Sequence, residues 1–104
     1  MRPMIEYIKN NFDYPLIGAE VGVGLGNHAQ QIVDNLNLEK LYLIDHWQEY
    51  KEGALLIKTY AGKKDFIAEK FVSYDFVEII ELASLEAAKL FQDNYLDFIY
   101  IDSS

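Results

Sequence analysis

The residues able to do chemistry in this chain are its glycines and the acids placed around them. Glu20-Val-Gly22-Val-Gly24-Leu-Gly26 sets an acid two positions ahead of three alternate glycines, with an apolar run before it and a helical pattern behind it. This is the sequence form of a strand feeding a tight turn that opens a helix. Glycines admit positive φ and let a ligand approach the backbone, and the first N–H groups of the following helix have no helical partner, so the stretch can seat a nucleotide. A dinucleotide fingerprint, G-x-G-x-x-G, would require glycine at position 27, where Asn27 stands. Three further acids, Asp45, Glu81 and Asp102, each close an apolar run.

The elements that must position these residues can be read in order. Pro3 suits a first helical turn and Ile5, Ile8 and Phe12 share a face, so residues 3–12 are expected to form a short amphipathic helix. Asn11, Asp13 and Pro15 end it, and Leu16 to Val23 follow as a buried strand. Beyond the glycines, Ala29, Ile32, Val33 and Leu36 recur at helical spacing, with Asn27 as N-cap. Leu41 to Asp45 is a continuous apolar run, as in a parallel strand covered on both faces. From Glu52 to Tyr74 the pattern is helical but broken at Gly62, giving a Leu55, Leu56, Tyr60 cluster and an Ile67, Phe71 cluster on two short helices or one kinked helix. Phe76 to Glu81 is the third strand, Ser84 can cap a helix carrying Leu85, Ala88 and Phe91, and Leu96 to Asp102 is the fourth strand.

Strands alternating with helices predict right-handed crossovers and an open α/β parallel sheet with helices on both faces. Such sheets bind ligands outside the carboxyl ends of their strands. Glu20 with its glycines, Asp45, Glu81 and Asp102 all fall on that rim.

Composition narrows the partners. The 104 residues make one domain; 51% hydrophobic and 14% aromatic content exclude disorder, and no apolar run approaches the roughly 18 residues of a membrane span. Seventeen acidic against nine basic residues give a formal net charge of −8, which disfavours a surface that tracks nucleic-acid phosphates. The chain has no cysteine, hence neither disulfides nor a thiolate metal site, and no secretory leader is apparent, so a cytoplasmic location is expected.

Taken with their order and spacing, Glu20-Val-Gly-Val-Gly-Leu-Gly26, Leu43-Ile-Asp-His-Trp47, Ala83-Ser-Leu-Glu-Ala87 and Leu96-Asp-Phe-Ile-Tyr-Ile-Asp102 resemble the N-terminal half of the class I S-adenosylmethionine-dependent methyltransferases. The likeness is greatest to the small bacterial domains built into sugar and antibiotic O-methyltransferases. It implies a Rossmann-like sheet with its four strands in the order third, second, first, fourth, and S-adenosylmethionine as cofactor. The glycine turn of Gly22, Gly24 and Gly26 would lie against the amino-acid part of that cofactor, with Glu20 as a positioning acid near its methionine end.

Asp45 would take the ribose hydroxyls, since a carboxylate can accept both bonds of a vicinal diol. His46 and Trp47 follow on the same loop, Trp47 either as a cap over the cofactor or as a core aromatic. Ser84 and Leu85 match the position that holds the adenine edge, although Ala83 stands where the family often has an acid. Asp102 matches a carboxylate that the family places near the transferred methyl, the cofactor ammonium or, in metal-dependent O-methyltransferases, a divalent cation, which makes it a cofactor-binding residue and the one catalytic candidate; a single carboxylate makes no metal site. Glu81 aligns with no family residue.

The activity implied is methyl transfer to a small-molecule oxygen or nitrogen acceptor, with neither nucleic acid nor membrane as partner. The alternative is a non-catalytic, truncated cofactor-fold or interaction domain, because the family continues with at least three more strands. In the implied order the fourth strand forms an apolar edge, so a second copy of the chain, or sequence beyond these 104 residues, is expected to cover it.

Overall fold

A computed structural model describes residues 2–47, 50–52, 55–57, 62–82, 86 and 95–101. Its main sheet has four parallel strands: β1 (Leu16–Val21), β2 (Leu38–Asp45), β5 (Val77–Glu81) and β6 (Phe98–Ile101), in the spatial order β5-β2-β1-β6. This is the expected order of third, second, first and fourth strand, and the fold is a Rossmann-like open α/β sheet. Between β2 and β5 in the chain lie β3 (Tyr50–Glu52) and β4 (Leu55–Ile57), which pair antiparallel as a separate ribbon. Among the described residues the helices with given bounds are α1 (Pro3–Asn11), α2 (Asn27–Asn35) and α3 (Lys64–Lys70).

The β3–β4 ribbon corrects the helical reading of Leu55 and Leu56; Tyr60, the third residue of that cluster, lies outside the described residues. Leu55, Leu56 and Ile57 form a short apolar run that begins two residues after Gly53, and glycine ahead of such a run is a hairpin signal that competes with helical spacing. The second cluster, Ile67 and Phe71, is helical as expected; Ile67 lies on α3 and Phe71 is its C-cap. Smaller corrections concern boundaries. β1 stops at Val21, and β2 starts three residues earlier than expected, at Leu38. Gly26 is the N-cap of α2, not Asn27, because its backbone is left-handed (φ 84°) and favours glycine. Phe12 leaves the buried face of α1: it is an extended C-cap, 41% exposed, whose ring meets Tyr7 and Tyr14 edge-on.

Two hydrophobic clusters lie on the two sides of the sheet, as the alternation of strand side chains requires. The larger gathers Ile5 and Ile8 of α1, Ala29 and Ile32 of α2, Ile67 of α3 and Leu41 and Leu43 of β2, so all three described helices cover one face. The other contains Ala19, Val21, Tyr42 and Ile44, with Ile17, Ile80, Leu82 and Leu96 packed against them. The helix expected from Ser84 lies outside the described residues, apart from helical Glu86.

The junction of β1 and β6 has a requirement invisible in the strand pattern. Gly18 pairs with Phe98, and a Cβ on Gly18 would lie 2.1 Å from the Phe98 ring. The start of the same junction is fastened by Asp97. Its amide donates to the Ile17 carbonyl (2.6 Å) while its carboxylate accepts from the Ile17 amide (2.8 Å). Among the described residues β6 pairs with β1 alone, and Ile99 and Ile101 are 49% and 66% exposed.

Candidate functional site

The glycine stretch leaves β1 and turns sharply at its carboxyl end. Gly22, Gly24 and Gly26 have φ of 87°, 59° and 84°, all in the left-handed region, so the alternate spacing reflects a backbone that favours glycine at every second position. Hydrogen bonds hold the turn at each of the three: the Gly22 amide donates to the Ile44 carbonyl (2.9 Å), the Gly24 amide to the Asp45 carboxylate (2.9 Å) and the Gly26 amide to the Val23 carbonyl (3.0 Å). From behind, α3 closes on it. A Cβ on Gly26 would come within 3.0 Å of Ile67 and 3.1 Å of Phe71, and Lys70 Nζ donates to the Leu25 carbonyl at 3.3 Å.

Asp45, at the end of β2, joins two loops. One carboxylate oxygen accepts from the Gly24 amide and the other from the Trp47 amide, both at 2.9 Å, and the Trp47 indole N–H returns to the Gly24 carbonyl at 3.0 Å. Trp47 is 1% exposed and belongs to the core, so of its two readings the core aromatic holds. It is also the one non-glycine residue with positive φ (43°) among the described residues, a conformation over-determined by these bonds. His46 lies between Asp45 and Trp47 and is half-buried. A carboxylate has about four acceptor positions, and these two amides occupy one on each oxygen, so Asp45 retains capacity for two further donors.

Glu20 points elsewhere than its neighbours in the motif. Its side chain lies on the helix-covered face, 1% exposed, where Oε1 meets Nδ1 of His28 at 2.5 Å. His28 is 6% exposed on the first turn of α2, and its ring stands 4.1 Å from that of Tyr100 on β6. Arg2 donates to the Tyr100 hydroxyl and has its guanidinium 5.3 Å from the Tyr100 ring. Sequence reasoning passed over His28. Only its distance of eight residues from Glu20, spanning the turn, could have signalled the pair.

The structure therefore brings Gly22, Gly24, Gly26, Asp45 and His46 to the carboxyl rim of β1 and β2, with Glu20 beneath the turn. Glu81 is in register with Asp45 on the neighbouring strand and is exposed, and the Leu82 amide donates to the Asp45 carbonyl (3.1 Å). Ser84, Leu85 and Asp102, expected at the adenine edge and near the transferred methyl, lie outside the described residues. Among the described residues no group of three or more His, Asp or Glu is placed to hold a metal ion, and no helix is long and apolar enough to cross a membrane. No family model matches the chain, and no curated protein or solved structure matches it either.

Proposed function

We propose that this chain is the cofactor-binding part of an S-adenosylmethionine-dependent methyltransferase that acts on an oxygen or nitrogen of a small-molecule acceptor. The observation that carries the reading is the Asp45 carboxylate on the Gly24 amide. A dinucleotide or nucleotide phosphate would need the amides of the glycine turn for its own oxygens, and here a negative charge already sits on the central one. S-adenosylmethionine, with a sulfonium and an ammonium against one carboxylate, has a net positive charge and meets far less repulsion there. Asp45 also keeps acceptor positions for the two hydroxyls of a ribose.

Methyl transfer from a sulfonium is an in-line displacement whose leaving group is part of the cofactor. The protein's contribution is to align donor and acceptor and to exclude water. In this reading the rigid turn fixes the amino-acid part of the cofactor and Asp45 fixes its ribose. Ser84 and Leu85 at the adenine and Asp102 near the methyl remain part of the proposal.

Calorimetric titration with S-adenosylhomocysteine, with NADH as control, tests it. Saturable binding of the first and none of the second is expected. Asp45→Ala removes two charge-assisted acceptors and should weaken that binding by about 2–4 kcal/mol, each such bond contributing about 1.5–3 kcal/mol. Binding of NADH in preference, or a folded Asp45→Ala chain with parental affinity, would overturn the assignment.

A second reading, a non-catalytic module that associates through its sheet edge, is favoured by the exposure of Ile99 and Ile101 on β6. Its occupant is a second copy of the chain. A doubled mass in light scattering together with no binding of S-adenosylhomocysteine would decide for it.

A further inference from the structure

We propose that His28 is a positioning residue of the glycine turn, acting through Glu20 to hold the two ends of the turn together. The inference rests on the cofactor seat above only for its consequence in binding. Glu20 is the last residue but one of β1 and His28 the second residue of α2, so their 2.5 Å bond closes a loop around residues 21–27. Within that loop lie three left-handed glycines, which contribute no side chains to stiffen the segment and have the widest backbone freedom to lose.

Asp45 and Trp47 fasten the middle of the turn, at Gly24; the Glu20–His28 bond fastens its two ends. The histidine is itself fixed. Its ring stacks at 4.1 Å and 40° on Tyr100, whose hydroxyl accepts from Arg2, so the edge strand braces the same bond. Burial of both partners, at 1% and 6% exposure, removes competing water and makes the bond selective for one geometry of the turn. Glu20 thus works on the shape of the seat from beneath it, by way of His28.

Amide hydrogen exchange in the full chain, followed for Gly22, Gly24 and Gly26 against Leu41 to Ile44 of β2, tests the proposal without any ligand. His28→Phe keeps a ring against Tyr100 and removes the bond. It should speed exchange of the three glycine amides by about tenfold beyond any change in β2, the scale of one charge-assisted bond. His28→Asn, which can offer a nitrogen near the place of Nδ1, should restore most of the protection.

S-adenosylhomocysteine affinity should fall in parallel with turn exchange, by about tenfold for His28→Phe. Parental exchange in the turn, or equal acceleration across the turn and β2, would overturn the proposal, the second outcome marking a merely global loss of stability. If His28→Phe does not fold, Glu20→Met takes its place with the same expected and overturning patterns, since it keeps the volume of the side chain and loses the acceptor. A parent chain that binds no S-adenosylhomocysteine yet shows the local exchange pattern would remove the cofactor reading and leave the positioning role of His28 standing.

Discussion

Among the described residues each face of the sheet contains a polar pair within its core, and the two faces treat it differently. On the helix-covered face Glu20 and His28 meet at 2.5 Å with both side chains almost wholly enclosed. On the other, the hydroxyls of Tyr42 and Tyr95 meet at 2.7 Å, with Tyr42 buried and Tyr95 45% exposed. The second pair needs little explanation, since tyrosine buries an apolar ring and keeps a polar tip in reach of a partner. The first does. A buried ionisable pair is often no more stabilising than an apolar pair of the same volume, because desolvation offsets the attraction. Its place at the two ends of the glycine turn is therefore better accounted for by the geometry it imposes than by stability.

Substitutions that unbalance the two faces should separate these roles. The largest effect is expected from His28→Leu, which leaves the Glu20 carboxylate enclosed without its imidazole and should cost about 3–5 kcal/mol in urea unfolding. The double variant Glu20→Met with His28→Leu should recover most of that loss; failure to recover it would mean that the pair stabilises the fold outright. Gly18→Ala comes next. Its methyl would enter the space of the Phe98 ring, and the forced displacement should cost about 1–3 kcal/mol, with the β1–β6 junction loosening first in hydrogen exchange. Tyr95→Phe on the second face should cost least, about 0.5–1 kcal/mol, because the lost partner is half in water.

That last variant also carries a pH signature. The hydrogen bond with Tyr95, and then burial, push the Tyr42 hydroxyl from 10.0 up to about 12. A raised pKa in the folded chain means that folding favours the protonated phenol. Its stabilisation is fully present below pH 10 and is lost as pH rises from 10 towards 12. Unfolding midpoints measured across this range should fall with pH in the parent and fall less in Tyr95→Phe. Equal slopes would show that Tyr95 does not cause the shift.

Much of the fold was legible in the sequence because its signals are local. Apolar runs ending in acids at Asp45 and Glu81, and a glycine series followed by helical spacing, name strands and the helix between them, and a parallel sheet constrains the order that remains. The β3–β4 ribbon was missed because three apolar residues satisfy helical and extended patterns alike. Within the candidate site, the alternate glycines announced left-handed backbone, and Asp45 announced a rim acid. That Asp45 turns its carboxylate to the Gly24 and Trp47 amides depends on how closely the loops after β1 and β2 approach, a distance no spacing encodes.

By itself the sequence determined the parallel α/β architecture, the strand that feeds the glycine turn and the acid that ends the next strand, since each follows from periodicity or from a residue's own conformational range. Only the tertiary structure decided that Gly18 makes way for Phe98, that Trp47 is core, and that Glu20 belongs with His28 and Tyr100. These are meetings between residues on different elements. They arise when strands align in register and helices close over one face, and their energies come from burial and short-range geometry that exist only once the chain has folded.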